Sequence, residues 1–324
     1  MRIRKIETTA AIIVFLFVLG VNANAQDRNE VVTAYNEGAK ASKTDIKAAI
    51  ASFENVITLA EKAGGTADDL KEKAVKVLPG LYFKVAYNAL NEKKPAQEVI
   101  QFAKAAINAS DKYGSESNKT NAQKVLVQGY NNLGGEFYSK TDYEKALATY
   151  DTLLSLSPDN SNAIYNKVLI YVKQNNAVAV EQNIDLLLEK LKVSNDTARA
   201  KQASTTALEF FRSAGSQASQ AEKLDEAVSL LNKASKYGED KDLFYYYADV
   251  YNKQKNYDKG LESAQKGLAL ETGAAEAKAK FYFQIGLAQE GKGQTAEACA
   301  SFKNSLFGPF AEPSKAKRTN LKCK

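Results

Sequence analysis

One stretch, residues 127–158, constrains the fold more than any other part of the chain. In its first half, residues spaced by three and four fall on one face of a helix: Tyr130, Leu133, Gly134 and Phe137. Thr141 or Asp142 then supplies an N-cap for a second helix. The buried face of that helix carries Ala146, Tyr150 and Leu153, and Pro158 ends it because proline clashes with the preceding turn. The stretch therefore predicts two amphipathic helices joined by a tight turn.

The sizes of these residues indicate how the two helices pack. Gly134 and Ala146 are small where the helices approach closely, whereas Tyr130, Phe137 and Tyr150 are large where the crossing opens. The stretch resembles the tetratricopeptide repeat, a helix–turn–helix unit of about 34 residues, with Tyr130 in place of the usual tryptophan. The resemblance implies a binding scaffold and carries no catalytic information.

Weaker copies of the pattern extend the prediction over most of the chain. They begin near residues 31, 79, 161, 208, 241 and 279. The expected fold is all-α, a right-handed α-solenoid of about seven such units over residues 26–312. Spacings of 48, 48 and 47 residues exceed the repeat length, so we expect several units with helices lengthened on both sides of a loop. The resemblance implies that the first (A) helices line a concave face and the second (B) helices a convex face.

Residues 1–25 are typical of a secretory signal peptide. A basic N-terminal segment precedes an apolar run that is shorter than a typical transmembrane helix. Ala23 and Ala25 give the small-x-small cleavage pattern, which predicts a mature N-terminus at Gln26. An uncleaved N-terminal anchor is the alternative. We expect a protein exported to the periplasm or cell envelope, and the chain resembles repeat proteins of Bacteroidetes envelopes.

Charge and composition argue against several classes of function. The formal charge is +6, but residues 1–25 contribute +2 and residues 313–324 contribute +5, so the body between them sums to −1. A nucleic-acid-binding body would need a basic stripe. The chain has no histidine, the commonest general base and metal ligand, and no nucleophile elbow or phosphate-binding glycine loop. We therefore expect no enzyme, no cofactor and no metal site.

The predicted groove is the first candidate site. The concave positions that the resemblance implies are roughly 2, 5, 6, 9, 12 and 13 of each unit. In the third and fourth units these positions supply amides and phenols: Asn131, Asn132, Tyr138, Tyr165 and Asn166. Amide side chains pair with the donors and acceptors of an extended peptide, and tyrosine adds apolar area with a polar tip. An ordinary solvated polar face is the alternative.

An aromatic cluster in the sixth unit is the second candidate site. Successive residues on a helix point about 100° apart, so Phe244, Tyr247 and Tyr251 belong to the core while Tyr245 and Tyr246 face the groove. We expect Phe283 of the next unit beside them. Exposed aromatic groups often mark a binding surface. Packing against a lengthened neighbouring helix is an equal alternative.

The C-terminal residues 313–324 are basic and few of them are apolar, which predicts a disordered tail. Membrane contact, if there is any, is confined to this tail. Cys299 and Cys323 are the two cysteines of the chain. They either form a disulfide that pins the tail or remain separate thiols, and the expected disorder favours separate thiols.

These features together predict a non-catalytic scaffold or adaptor of the cell envelope that binds a protein or peptide in its concave groove. The alternative is a glycan-binding envelope protein that uses Tyr245, Tyr246 and Phe283 as stacking surfaces. The sequence does not identify the partner or the oligomeric state.

Overall fold

The structure is a computed structural model and describes residues 27–324. The predicted signal peptide and the cleavage point at Ala25/Gln26 lie outside the described residues. Between residues 27 and 324 there is no β-strand, and helices follow one another through short turns. Within that range no helix is both long and apolar enough to cross a membrane. The predicted all-α chain of helix–turn–helix units is confirmed.

The chain divides into two compact units, one ending at Asn160 and the other spanning Ser161–Lys324. The helices of the first unit are α1 (27–41), α2 (Ile46–Lys62), α3 (Asp68–Asn91), α4 (Ala96–Tyr113), α5 (Glu116–Ser139) and α6 (Tyr143–Leu156). Those of the second are α7 (Ser161–Lys173), α8 (Ala177–Val193), α9 (Thr197–Gln220), α10 (Leu224–Tyr237), α11 (Lys241–Lys253), α12 (Tyr257–Leu270), α13 (Ala275–Gly291), α14 (Thr295–Asn304) and α15 (Ala311–Asn320), with a 3-10 turn at Gly308–Phe310.

The odd-numbered helices from α1 to α13 are the A helices of seven pairs, and the even-numbered helices are the B helices. Inside each compact unit an A helix packs against its own B helix and against the B helix before it. Neighbouring A helices also touch, as α3 does with α5, α9 with α11, and α11 with α13. This nearest-neighbour packing is how stacked repeats bury their apolar faces.

A close contact between a glycine of the A helix and a large side chain of the B helix recurs along the chain. A Cβ atom on Gly134 would lie 2.6 Å from the Tyr150 ring, which is 1% exposed. The same relation, usually 16 residues apart, joins three other pairs: Gly38 with Phe53, Gly215 with Leu231, and Gly286 with Phe302. The separation is 15 residues in the first pair, because the turn there is one residue shorter. The predicted close approach at Gly134 is confirmed.

The turn inside each pair contains one residue with a left-handed backbone in every unit after the first. These residues are Lys93, Thr141, Asn175, Glu222, Lys255 and Gly293. Their successive spacings of 48, 34, 47, 33 and 38 residues equal those between the predicted unit starts. The following residue often caps the B helix, and the Asp142 carboxylate accepts from the Lys145 amide at 3.3 Å. The spacing of the repeats predicted from the sequence therefore agrees with the spacing of the turns in the structure.

The long spacings come from lengthened helices on both sides of a loop. Helices α3, α5 and α9 have 24 residues each, against 13 in α7 and α11. The B helices that precede them, α2, α4 and α8, have 17 or 18 residues, against 14 in α6, α10 and α12. Each lengthened A helix packs against the lengthened B helix that precedes it.

The C-terminal segment differs from the predicted disordered tail. Residues 311–320 form α15, and Cys323 forms a disulfide with Cys299 of α14 instead of remaining a separate thiol. Arg318 donates from Nη1 to the Cys299 carbonyl oxygen at 2.6 Å, and the Ser305 and Ser314 hydroxyls share a buried hydrogen bond of 2.7 Å. The composition of residues 313–324 did not predict this helix, because the helix is stabilised by polar contacts to distant residues and by a covalent bond.

We expect Gly134→Ala to lower the free energy of unfolding by about 2 kcal/mol, because the new methyl group collides with the buried Tyr150 ring. Gly135→Ala is the matched control, since a Cβ there meets nothing within 4 Å. That substitution should stabilise the helix by up to about 1 kcal/mol. Urea denaturation of both variants measures the difference, and equal effects would contradict the close contact.

Candidate functional site

The predicted groove residues of the third repeat occupy different environments. Asn131 is half-buried, and its Oδ1 is buried without a hydrogen-bond partner among residues 27–324. Asn132 is exposed and accepts from the Gln128 amide at 2.9 Å. The Tyr138 ring lies 5.8 Å from the Tyr143 ring, at the turn into α6. Asn131, Asn132 and Tyr138 all remain candidates for partner binding, and Tyr138 also packs at the turn into α6.

The fourth-repeat candidates belong to the second compact unit. Tyr165 is half-buried, and its hydroxyl shares a hydrogen bond of 3.1 Å with Thr206 of α9. Asn166 is also half-buried. The phenol of Tyr165 therefore links two neighbouring A helices rather than pointing freely into solvent.

The aromatic candidates separate into two groups. The Tyr245 ring packs edge-on against Tyr246 at 5.3 Å and against Phe281 at 6.2 Å. Phe283 instead packs against Phe302 at 5.8 Å and Phe310 at 5.5 Å. Residues 281 and 283 point to opposite sides of α13 because two helical positions turn through about 200°. The expected grouping of Phe283 with Tyr245 is therefore not the packing that the structure has.

A series of side-chain contacts joins successive A helices in the second compact unit. Arg199 of α9 donates to Ser161 of α7 at 2.8 Å, and Ser219 of α9 donates to Asp249 of α11 at 2.8 Å. Further contacts link Arg212 with Asp240, Lys280 with Asp242, and Asn252 with Gln284. These contacts fix the spacing of the A helices, so the polar groups on this face are held in place before any partner arrives.

The α11–α13 pocket is a concavity of about 450 Å³ in which polar groups converge on this face. It is lined by Asp249, Asn252, Lys253, Tyr257, Gln284, Leu287, Glu290, Gly291 and Lys317. Most of these residues come from the last turns of α11 and α13, while Lys317 reaches in from α15. The pocket lies entirely within the second compact unit.

The charges around the α11–α13 pocket are balanced by two ion pairs. Lys253 donates to Asp249 at 2.7 Å within α11, and Lys317 of α15 donates to Glu290 of α13 at 2.6 Å. Each carboxylate has its second oxygen available to a ligand, and each ammonium group has donors to spare. The rim can therefore bind both hydrogen-bond donors and hydrogen-bond acceptors of a ligand, and it does not favour a positively or a negatively charged ligand.

Two amides form the polar floor of the pocket. The Asn252 Nδ2 group donates to the side-chain oxygen of Gln284 at 2.9 Å and to its backbone oxygen at 3.0 Å. Gln284 is only 3% exposed, and the Asn252 Oδ1 atom is buried without a partner among residues 27–324. Tyr257 and Leu287 add apolar surface. Among these residues there is no group of three or more metal-ligating side chains.

The sequence signal for this pocket is the same set of concave positions that was applied only to the third and fourth repeats. The concave positions of the sixth repeat include Asp249, Asn252 and Lys253, and those of the seventh include four further lining residues: Gln284, Leu287, Glu290 and Gly291. Applying the implied positions to every repeat, and not to the third and fourth alone, would have found them. Lys317 had no such signal because the tail was expected to be disordered.

Burial and a nearby carboxylate change the acidity of Tyr245 beside the pocket. Removal of the phenol from water raises the pKa of Tyr245 above its ordinary value, and the negative charge of Asp249 raises it further. The neighbouring Gln284 amide opposes this shift through a hydrogen bond. The phenol therefore stays protonated at neutral pH and can donate a hydrogen bond.

Comparison with protein families finds one match, in which a model described as tetratricopeptide repeat covers residues 127–160. This segment coincides with the stretch that gave the sequence prediction, and the match confirms the repeat type there. Comparison with curated proteins finds no match.

Several solved structures are similar to this chain. A tetratricopeptide repeat protein from Parabacteroides merdae is 18% identical, with 91% of this chain and 99% of that chain covered and a TM-score of 0.28. YrrB, described as a TPR protein with an unusual peptide-binding site, is 19% identical over 60% of this chain and 90% of its own, with a TM-score of 0.35. A thermophilic TPR protein from Thermus thermophilus is 20% identical over 61% of this chain and 100% of its own, with a TM-score of 0.28.

The raised pKa of Tyr245 predicts a loss of stability in alkali. The folded pKa exceeds the unfolded value, so the stabilising contribution is present below about pH 10 and is lost as the pH rises further. Between about pH 8 and pH 11 the free energy of unfolding should fall less in Tyr245→Phe than in the wild type. Tyr87→Phe, at a residue that is 48% exposed, is the matched control. An identical alkaline loss in wild type and Tyr245→Phe would contradict the buried environment.

Proposed function

We propose that this chain is a non-catalytic interaction scaffold that binds an extended segment of a partner protein at the α11–α13 pocket. The observation that carries this proposal is the pocket itself, where a buried amide pair, an apolar patch and two ion pairs converge on the A-helix face. The tetratricopeptide repeat at residues 127–160 supports it, since proteins with this repeat generally mediate protein–protein interactions.

The chemistry of the pocket suits a peptide better than a strongly charged ligand. A peptide backbone offers alternating donors and acceptors, which Asn252, Gln284 and the rim carboxylates can match. Tyr257 and Leu287 can cover one apolar side chain of the segment, and burial of that side chain supplies affinity. The internal ion pairs leave the lining without net charge, so recognition rests on hydrogen bonds and shape rather than on long-range attraction.

No observation favours the glycan alternative. It requires Tyr245, Tyr246 and Phe283 to present one stacking surface, and Phe283 packs against Phe302 and Phe310 instead. The absence of histidine from the sequence leaves the chain without its commonest general base, which supports a non-catalytic role.

A charge placed in the pocket should abolish partner binding. We expect Leu287→Lys to reduce capture of partner protein from the native cell envelope at least about tenfold, because it puts an ammonium group where apolar burial is needed. Leu270→Lys is the matched control, since Leu270 is 49% exposed on α12. Quantitative mass spectrometry of the captured proteins, with both variants checked for folding by circular dichroism, gives the measurement.

Unchanged capture by Leu287→Lys would remove the pocket from the proposal. Loss of capture in a variant altered at Asn131, Asn132 and Asn166, with Leu287→Lys unaffected, would assign partner binding to the third and fourth repeats. Retention of the chain on envelope glycan, abolished by the double substitution Tyr245→Ala and Tyr246→Ala, would support the glycan alternative.

We propose further that the chain is exported and acts in the periplasm or cell envelope. The signal-like residues 1–25 support this proposal, and so does the Cys299–Cys323 disulfide, because structural disulfides persist mainly in oxidising compartments. Intact mass of the protein from its native cells should correspond to a chain that begins at Gln26 and has no free thiol. A chain that retains Met1 and has two free thiols would contradict export.

A further inference from the structure

We propose that α15 is a redox-controlled clasp that completes the α11–α13 pocket. The Cys299–Cys323 disulfide holds α15 so that Lys317 forms one wall of the pocket, and reduction of the disulfide releases that wall. The oxidised chain is then the form that binds partner, and the reduced chain binds it more weakly. This inference rests on the proposed function, because it concerns the regulation of the same pocket.

The first support is how little apolar surface holds α15. The helix has ten residues, and Ser314 is its one buried residue. A helix this short is marginal in water without packing. Pro313 also occupies its first turn, where it contributes no backbone donor. The hydrophobic effect therefore contributes little to docking, and the helix depends on specific polar contacts and on the covalent bond.

The second support is that Arg318 of α15 contacts the bridged segment, whereas the Ser305–Ser314 hydrogen bond holds the start of the helix. Arg318 donates to the carbonyl oxygen of Cys299 at 2.6 Å and to that of Lys324 at 3.0 Å, so one guanidinium group joins both ends of the bridged segment. Lys317, one residue earlier, donates to Glu290 at 2.6 Å. The residues that hold the bridge and the residue that lines the pocket are thus adjacent on one helix.

Neither cysteine of the disulfide is fully buried, so the bridge lies near the surface of the protein. Cys299 and Cys323 are each half-buried. A dithiol reductant attacks one sulfur as a thiolate, forms a mixed disulfide, and then closes to its own cyclic disulfide as its second thiol displaces the remaining cysteine. Two electrons and two protons pass from the dithiol to the pair, leaving two thiols on the chain and one disulfide on the reductant.

Release of α15 changes both the shape and the charge of the pocket. When Lys317 leaves, the pocket loses the part of its lining that α15 supplies, and Glu290 loses its counter-ion. The lining changes from two carboxylates and two ammonium groups to two carboxylates and one ammonium group. The pocket thus becomes open and acidic. A partner segment that fits the charge-balanced pocket then makes fewer contacts and lies beside the unpaired carboxylate of Glu290.

Hydrogen exchange of the intact mature protein, with and without dithiothreitol as the dithiol, tests the clasp directly. We expect exchange at residues 311–320 to accelerate at least about tenfold on reduction, while α12 keeps its protection. The double variant Cys299→Ser and Cys323→Ser should show the fast exchange without dithiothreitol and should not respond to it. Protection of α15 that stays within about twofold after full reduction to two thiols would overturn the proposal.

Lys317→Met in the oxidised chain isolates the contribution of the wall. We expect it to lower partner capture as reduction does, while Lys315→Met, at an exposed residue that pairs with Glu312 of the same helix, leaves capture unchanged. Suppose that reduction releases α15 without lowering partner capture, while Leu287→Lys still abolishes capture. This result would refute redox control and leave the proposed function standing. Capture that responds neither to Leu287→Lys nor to reduction would refute both.

Discussion

The contact between a glycine on the A helix and a large side chain on the B helix determines how four of the seven repeats are built. Gly134 against Tyr150 is the clearest case, and the same relation joins Gly38 with Phe53 and Gly286 with Phe302. Without a Cβ, the A helix approaches until the ring fills the crossing, and the ring has no room to move. This contact sets the distance between the two helices of a pair. Because each pair packs on the next, the same distance propagates through each compact unit.

Most of the fold could be predicted because this contact leaves a local signature. A glycine and a large apolar residue separated by 15 or 16 positions, with apolar spacing of three and four between them, mark four of the seven repeats. The turn residues with left-handed backbone keep the same phase, which is why the unit starts near 79, 208 and 279 were correct. The long helices α3, α5 and α9 followed from the spacing alone, since extra residues between fixed contacts must be accommodated in the helices that flank the loop.

The candidate site was less predictable because it depends on residues that the repeat contact does not constrain. Tyr165 and Tyr245 were correctly placed on A helices, yet Tyr165 is engaged by Thr206 and Tyr245 by Phe281. Their partners lie about 40 residues away, and nothing in the local pattern specifies them. The α11–α13 pocket depends on such distant pairs throughout, including Asn252 with Gln284 and Glu290 with Lys317. The repeat pattern in the sequence predicts which positions face a groove. Only the packed helices show which of those side chains can still bind a partner.

The α11–α13 pocket lies where helix α15 follows the seventh repeat and packs against α14. A helix that covers the face of a repeat needs a polar outer surface. Helix α15 occupies that role, and its Lys317 pairs with Glu290 much as Gln284 pairs with Asn252 one repeat earlier. A cap that is polar enough to face water has little apolar surface with which to dock, so a disulfide compensates for the missing burial. The same compromise places a basic side chain and a breakable bond beside the pocket, which makes the end of the repeat array the part of the molecule best suited to control binding.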